Sequence, residues 1–169
     1  EKYDACWVPD YEDADKALAG ELSHPKKRPN NVTYIGPLSR FVKSEPQDAS
    51  TRLTVAVLSG IEPQRSIFEE YLLDSLQIEP AERVVLVQGL PYKGSEPHCV
   101  GKVEVYPSMS TQPLQDLLLQ ATHIICRSGY SSVMDLAAMG KLSVATFVPT
   151  PGQPEQEYLA SYLRAKKFG

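Results

Sequence analysis

Three short stretches of this chain set hydroxyls, cations, carboxylates and amides where a turn meets a helix. The densest is Arg127-Ser128-Gly129-Tyr130-Ser131-Ser132, with Asp135 three residues on. A glycine there lets a ligand approach the backbone, the unpaired N–H groups of a first helical turn attract anions, and the serines add hydroxyls. Asp135 follows Ser131 and Ser132 by four and three residues, so the three share a helical face. A carboxylate so placed binds the two hydroxyls of a ribose. A plainer use is also open: Ser128 or Ser131 as a helix cap, and Asp135 as a solvated side chain.

The second stretch is Ser59-Gly60-Ile61-Glu62-Pro63-Gln64-Arg65, a glycine turn with an arginine entering a helix. The third is Val148-Pro149-Thr150-Pro151-Gly152-Gln153-Pro154-Glu155-Gln156, where Gln156 and Glu155 offer hydrogen bonds to sugar hydroxyls. Here the alternative is a rigid surface loop whose acids suit a helix N-terminus. Each stretch alone is a weak signal. Their joint weight comes from order, because each follows an apolar run with the character of a strand.

The elements that must position them alternate. Apolar runs at residues 53–58, 83–87, 102–106, 123–126 and 143–148 predict strands, and residues 67–77, a segment from Gln112, and residues 130–139 and 155–166 carry helical spacing. Such alternation predicts an α/β fold, a doubly wound, Rossmann-like, mostly parallel sheet of five or six strands. Its ligand site would lie at the carboxyl ends of the strands. Ahead of it, residues 4–9 predict a short buried strand and residues 32–35 another, separated by loop with one helical turn near residues 14–18. The polar residues 44–51 have the character of a linker. Residues 1–51 are thus set apart from a main domain at 52–169.

Composition narrows the function. A net charge of −4 disfavours a broad nucleic-acid surface, and the basic run Lys26-Lys27-Arg28 between two prolines predicts a solvated loop tip. No apolar stretch reaches the roughly 20 residues of a membrane span. Three cysteines without close spacing predict neither a disulfide framework nor a metal site, and fit a reducing, cytoplasmic setting. Cys6 and Cys126 sit in apolar runs and are expected in the core. The chain opens on Glu1 and reads as a piece cut from a longer protein.

From residue 124 onward the sequence resembles the nucleotide-sugar-binding C-terminal half of GT-B glycosyltransferases, in particular the family that includes the bacterial N-acetylglucosaminyltransferase of peptidoglycan synthesis. The resemblance is carried by Cys126-Arg127-Ser128-Gly129, by Asp135-Leu136-Ala137-Ala138-Met139-Gly140-Lys141, by Phe147-Val148-Pro149-Thr150-Pro151 and by Glu155-Gln156. Ser59-Gly60 and Gln64 resemble the family's loop near the acceptor and diphosphate. Val105-Tyr106-Pro107-Ser108-Met109 resembles its base-reading segment. Asp135 stands where the family has a glutamate, Glu155 where it has the first of two glutamines, and Pro107 removes an N–H from the base-reading segment.

The resemblance implies a donor-binding half that holds a nucleoside diphosphate sugar, with uridine the first expectation. Asp135 would hold the ribose, residues 128–132 the diphosphate, helped by Arg65 or Arg127, and Gln156 the sugar. No metal and no cofactor are implied. The general base and the acceptor, a glycan or lipid-linked glycan, would belong to an N-terminal half ending in residues 1–51. His24, His98 and His123 are left without a role, and contact of the parent protein with the inner face of a membrane stays open. Two other readings remain: a nucleotide-sugar epimerase of the same architecture, and a non-catalytic half of a split transferase.

Overall fold

The computed structural model describes residues 3–42 and 51–166. The expected linker at residues 44–51 falls almost wholly outside them.

A six-stranded sheet organises the main domain. Its members are β3 (Leu53–Val57), β4 (Arg83–Val87), β5 (His98–Val100), β6 (Val103–Tyr106), β7 (His123–Arg127) and β8 (Ala145–Val148), in spatial order β5-β6-β4-β3-β7-β8. All pairings are parallel except that of β5 with β6. The centre of the sheet is apolar on both faces, as strands covered on both sides require; Val55, Ala56, Val85 and Leu86 have no exposed surface. Helix α1 (Gln64–Gln77) covers one face through Phe68, Leu72 and Leu76, four residues apart. Helices α2 (Thr111–Gln120), α3 (Tyr130–Ala138) and α4 (Pro154–Ala165) cover the other. The sheet is therefore doubly wound, in agreement with the expected fold class.

The sheet gains a strand that the sequence pattern missed. β5 turns back on β6 through Gly101 as an antiparallel edge, and its three residues are all exposed, so no apolar periodicity marked it. The run at residues 143–148 also starts later than expected, because residues 142–144 form a 3-10 turn before β8.

Outside this sheet, β1 (Cys6–Val8) and β2 (Val32–Tyr34) pair in parallel as a separate two-stranded ladder. The expectation of a buried first strand fails here. Trp7 is 72% exposed, and Cys6 is exposed rather than in the core, whereas Cys126 is buried. The loop between the two strands is ordered by Asp10, whose carboxylate accepts from the N–H groups of Leu18 and Ala19 and from Ser23 Oγ at 2.7 to 3.1 Å. Residues 14–16 form a turn, followed by a 3-10 turn at residues 20–22, and Lys26, Lys27 and Arg28 are exposed in the loop.

Three tyrosines dock this segment on the main domain. The hydroxyls of Tyr130 and Tyr162 donate to the carbonyls of Pro9 and Ala17, and that of Tyr158 accepts from the N–H of Glu21. Leu18, Ala19 and Phe41 join the core beneath α2, α3 and α4. Among the described residues, no helix is long and apolar enough to cross a membrane.

Candidate functional site

The strand order reverses beside β3: β4 lies on one side of it and β7 on the other, with α1 on the opposite face from α2 and α3. Loops leaving β3 and β7 must part at this point, which opens a crevice at the strands' carboxyl ends. A cavity of about 470 Å³ sits there. Ser59 from the loop after β3, Ser131 and Ser132 from the first turn of α3, and Asp135 one turn later supply polar groups to its wall. Its floor is apolar, built from Val57, Leu58, Leu114, Leu118, Ile124, Cys126 and Leu136. Leu38, Arg40 and Phe41 complete the lining from the segment before the main domain.

Gly129 is the N-cap of α3, with φ −73° and ψ 146°, and no side chain caps the helix. The first-turn amides are thus without a side-chain partner, and the capping role open to Ser128 and Ser131 is not taken up. Ser128, expected as a possible cap, instead donates from a fully buried position to the main-chain carbonyl of Gln156, 2.8 Å away. That bond brings the turn after β7 and the start of α4 to one rim. The glycine is not needed for conformation, since φ −73° suits any residue, and a Cβ there would have Ser132 Oγ, at 3.9 Å, as its nearest neighbour. Gly60 differs: its φ of +105° is one that side-chain-bearing residues rarely adopt.

The two arginines proposed for the diphosphate have unlike surroundings. Arg65 is buried and binds two carboxylates, Glu62 and Glu69, each at 2.7 Å, while Gln88 donates to Glu69 behind it. Its charge is already neutralised. Arg127 is 5% exposed; it lies 3.9 Å over the ring of Phe68 and donates to the carbonyls of Pro149 and Gln64. These contacts hold the loops after β3, β7 and β8 together with no carboxylate among them. Burial lowers its pKa, as expected of a guanidinium without a counter-ion.

The remaining candidates lie around the rim or beyond it. Gln156 accepts from the N–H of Thr150 and donates to Gln153 Oε1, so its amide now braces the loop after β8. Glu155 is exposed in the first turn of α4. The Gln64 carbonyl accepts from Arg127, outside the cavity lining, and the Tyr130 hydroxyl is turned to Pro9, with burial pushing its pKa up to about 12. Tyr106 packs against the core, and the carbonyls of Tyr106 and Pro107 accept from the N–H groups of Gln88 and Leu90. The segment expected to read a base is therefore tied to the loop after β4 through those two acceptors. Gly89, between those two donors, has φ +71°, and a Cβ there would sit 2.9 Å from the carbonyl oxygen of Leu58, so the glycine lets the loop after β4 approach the loop after β3.

Sequence reasoning missed Ser39 and Arg40. Ser39 Oγ donates to Asp135 Oδ1 at 2.6 Å, and Arg40 Nε stands 3.6 Å from Asp135 Oδ2. The contact crosses 96 positions of chain, and no local spacing announces it. Among the described residues, no group of three or more His, Cys, Asp or Glu side chains is disposed to hold a metal ion. No protein-family model, curated protein or solved structure matches this chain.

Proposed function

We propose that the crevice between β3 and β7 holds the nucleoside diphosphate sugar donor of a GT-B-type glycosyltransferase, and that this chain supplies the donor-binding half. The observation that carries the reading is the meeting, at one cavity, of the uncapped start of α3 with Ser131, Ser132 and Asp135. Amide N–H groups and serine hydroxyls suit a diphosphate, whose charge grows as the sugar leaves it. Arg127 lies outside the cavity wall, stacked on Phe68 on the α1 side of the sheet, and would act on an anion only through the field of a charge that has no carboxylate partner. Asp135 suits the ribose diol, and Gln156, released from Gln153, would turn its amide to the sugar.

An epimerase working on the same ligand needs an acid and a base facing the sugar. Of the residues lining the cavity, Asp135, Arg40 and Cys126 are the titratable ones. Asp135 and Arg40 are paired, and burial pushes the Cys126 thiol up to about 12. The transferase reading asks for no such pair here, since its base belongs with the acceptor in a preceding half. UDP with a sugar attached is the proposed donor, a glycan the proposed acceptor, and the inner side of the membrane the proposed place of work.

Titration of the chain with UDP, GDP, their sugars and inorganic pyrophosphate tests the reading. Binding of the nucleotides at micromolar to millimolar concentration is expected, with Asp135→Ala weakening them about tenfold and leaving pyrophosphate unchanged. A flat titration up to millimolar concentration would remove the nucleotide site.

A further inference from the structure

Asp135 already has occupants. Ser39 takes one carboxylate oxygen through a short, charge-assisted hydrogen bond, and Arg40 faces the other. A ribose diol bound to the same carboxylate needs those oxygens. The segment carrying Ser39 and Arg40 is anchored just beyond them: Phe41 is 5% exposed in the core, and the buried Gln115 exchanges hydrogen bonds with both main-chain groups of Val42. Residues 41 and 42 are thus held independently of Asp135. Ser39 and Arg40 contact Asp135 directly, and Arg40, 56% exposed at the cavity mouth, also places its guanidinium 4.9 Å over the Phe41 ring. One further bond joins the two parts, from the Phe41 N–H to Ser39 Oγ at 2.9 Å.

We propose that Ser39 and Arg40 form a latch on Asp135 that a bound ribose must displace, so that nucleotide binding and the seating of residues 39–40 oppose each other. The proposal rests on the nucleotide reading of the cavity. The coupling is reciprocal by thermodynamic necessity: removing the latch tightens the nucleotide, and the nucleotide loosens the latch. Because only the ribose competes, ligands lacking it are indifferent to the latch. The fold carries the device without any second domain, since every group in it belongs to the described residues.

The experiment compares UDP and inorganic pyrophosphate on the wild-type chain, Ser39→Ala and Ser39→Thr. Ser39→Ala is expected to bind UDP about five- to tenfold more tightly with pyrophosphate unchanged, and Ser39→Thr, which keeps the hydroxyl, to match the wild type. Ser39→Ala that binds UDP no more tightly, or gains equally for pyrophosphate, overturns the latch while the nucleotide site stands. A wild-type chain that fails to bind UDP removes both, and its flat titration tells the two failures apart. Should Ser39→Ala not fold, amide exchange on the wild type decides. Saturating UDP is expected to speed exchange at Phe41 about tenfold, and an unchanged or slower rate overturns the proposal.

Discussion

Ser128 Oγ, on a serine with no exposed surface, donates to the main-chain carbonyl of Gln156 at 2.8 Å. This bond and the fork of Arg127 onto Pro149 and Gln64 make the loops after β3, β7 and β8 one connected rim. A ligand held by one loop is thereby placed relative to the others, and substitutions at the rim separate into those that hurt the fold and those that hurt the site.

Gly129→Ala belongs to the second kind. With φ −73° and no neighbour nearer than 3.9 Å to the new methyl, stability should change by no more than about 0.5 kcal/mol. The methyl stands at the start of α3, on the side of Ser132, so pyrophosphate and UDP affinity should both fall about tenfold. Urea denaturation and calorimetric titration of the same preparation check the two halves of this expectation.

Arg127→Met is expected to do both. It leaves two carbonyls without their donor and loses the stack on Phe68, but relieves a buried charge, for a net cost of about 1 to 2 kcal/mol. Pyrophosphate affinity should drop about tenfold with the charge. Arg127→Lys keeps the charge but not the fork, so it should lose stability while retaining most of the anion affinity; denaturant curves and titrations with both variants test this.

Thiol chemistry should divide the three cysteines. Cys6 and Cys99 are exposed, while Cys126 is buried with its pKa pushed up to about 12. A disulfide reagent at neutral pH is expected to modify Cys6 and Cys99 rapidly and to reach Cys126 only in denaturant. Mass mapping of the native reaction that found Cys126 among the fast sites would contradict its place under the cavity.

Acid should weaken the sheet at an identifiable pair. Arg83 on β4 binds Glu104 on β6 with two hydrogen bonds of 2.8 Å, and this partner holds the Glu104 carboxyl below its ordinary value of 4.5. A carboxyl depressed in the folded state stabilises above its unfolded pKa, and that contribution is lost as pH falls through the folded one. Both side chains are about a third or more exposed, so solvent limits the contribution to about 1 kcal/mol. Glu104→Gln should therefore cost up to that much at pH 7 and show a flatter stability profile between about pH 5 and 3.

The main strands and helices were legible because burial on both faces writes itself as apolar runs, and one-sided burial as spaced apolar residues; for α1 the series Ile67, Leu72 and Leu76 marked the helix, although Phe68 is buried in place of Ile67, which is 54% exposed. Ser59, Ser131, Ser132 and Asp135 were legible as a group because a parallel sheet brings successive strand ends to one rim. Arg65 and Arg127 could not be told apart, since the carboxylates of Glu62 and Glu69 select between them only in three dimensions. Ser39 was invisible for a related reason: its partner is 96 residues away, and a lone serine in a loop carries no sign of what it will meet. β1 misled because a run with Cys6, Trp7 and Val8 has the composition of a core strand while its side chains face outward.

That outward tryptophan is the sole indole in the chain. At 72% exposure it should already emit like a water-bathed fluorophore in the native protein, so its spectrum would barely register global melting. It would instead turn blue whenever something settles over the β1–β2 ladder, giving the molecule an optical gauge of that surface.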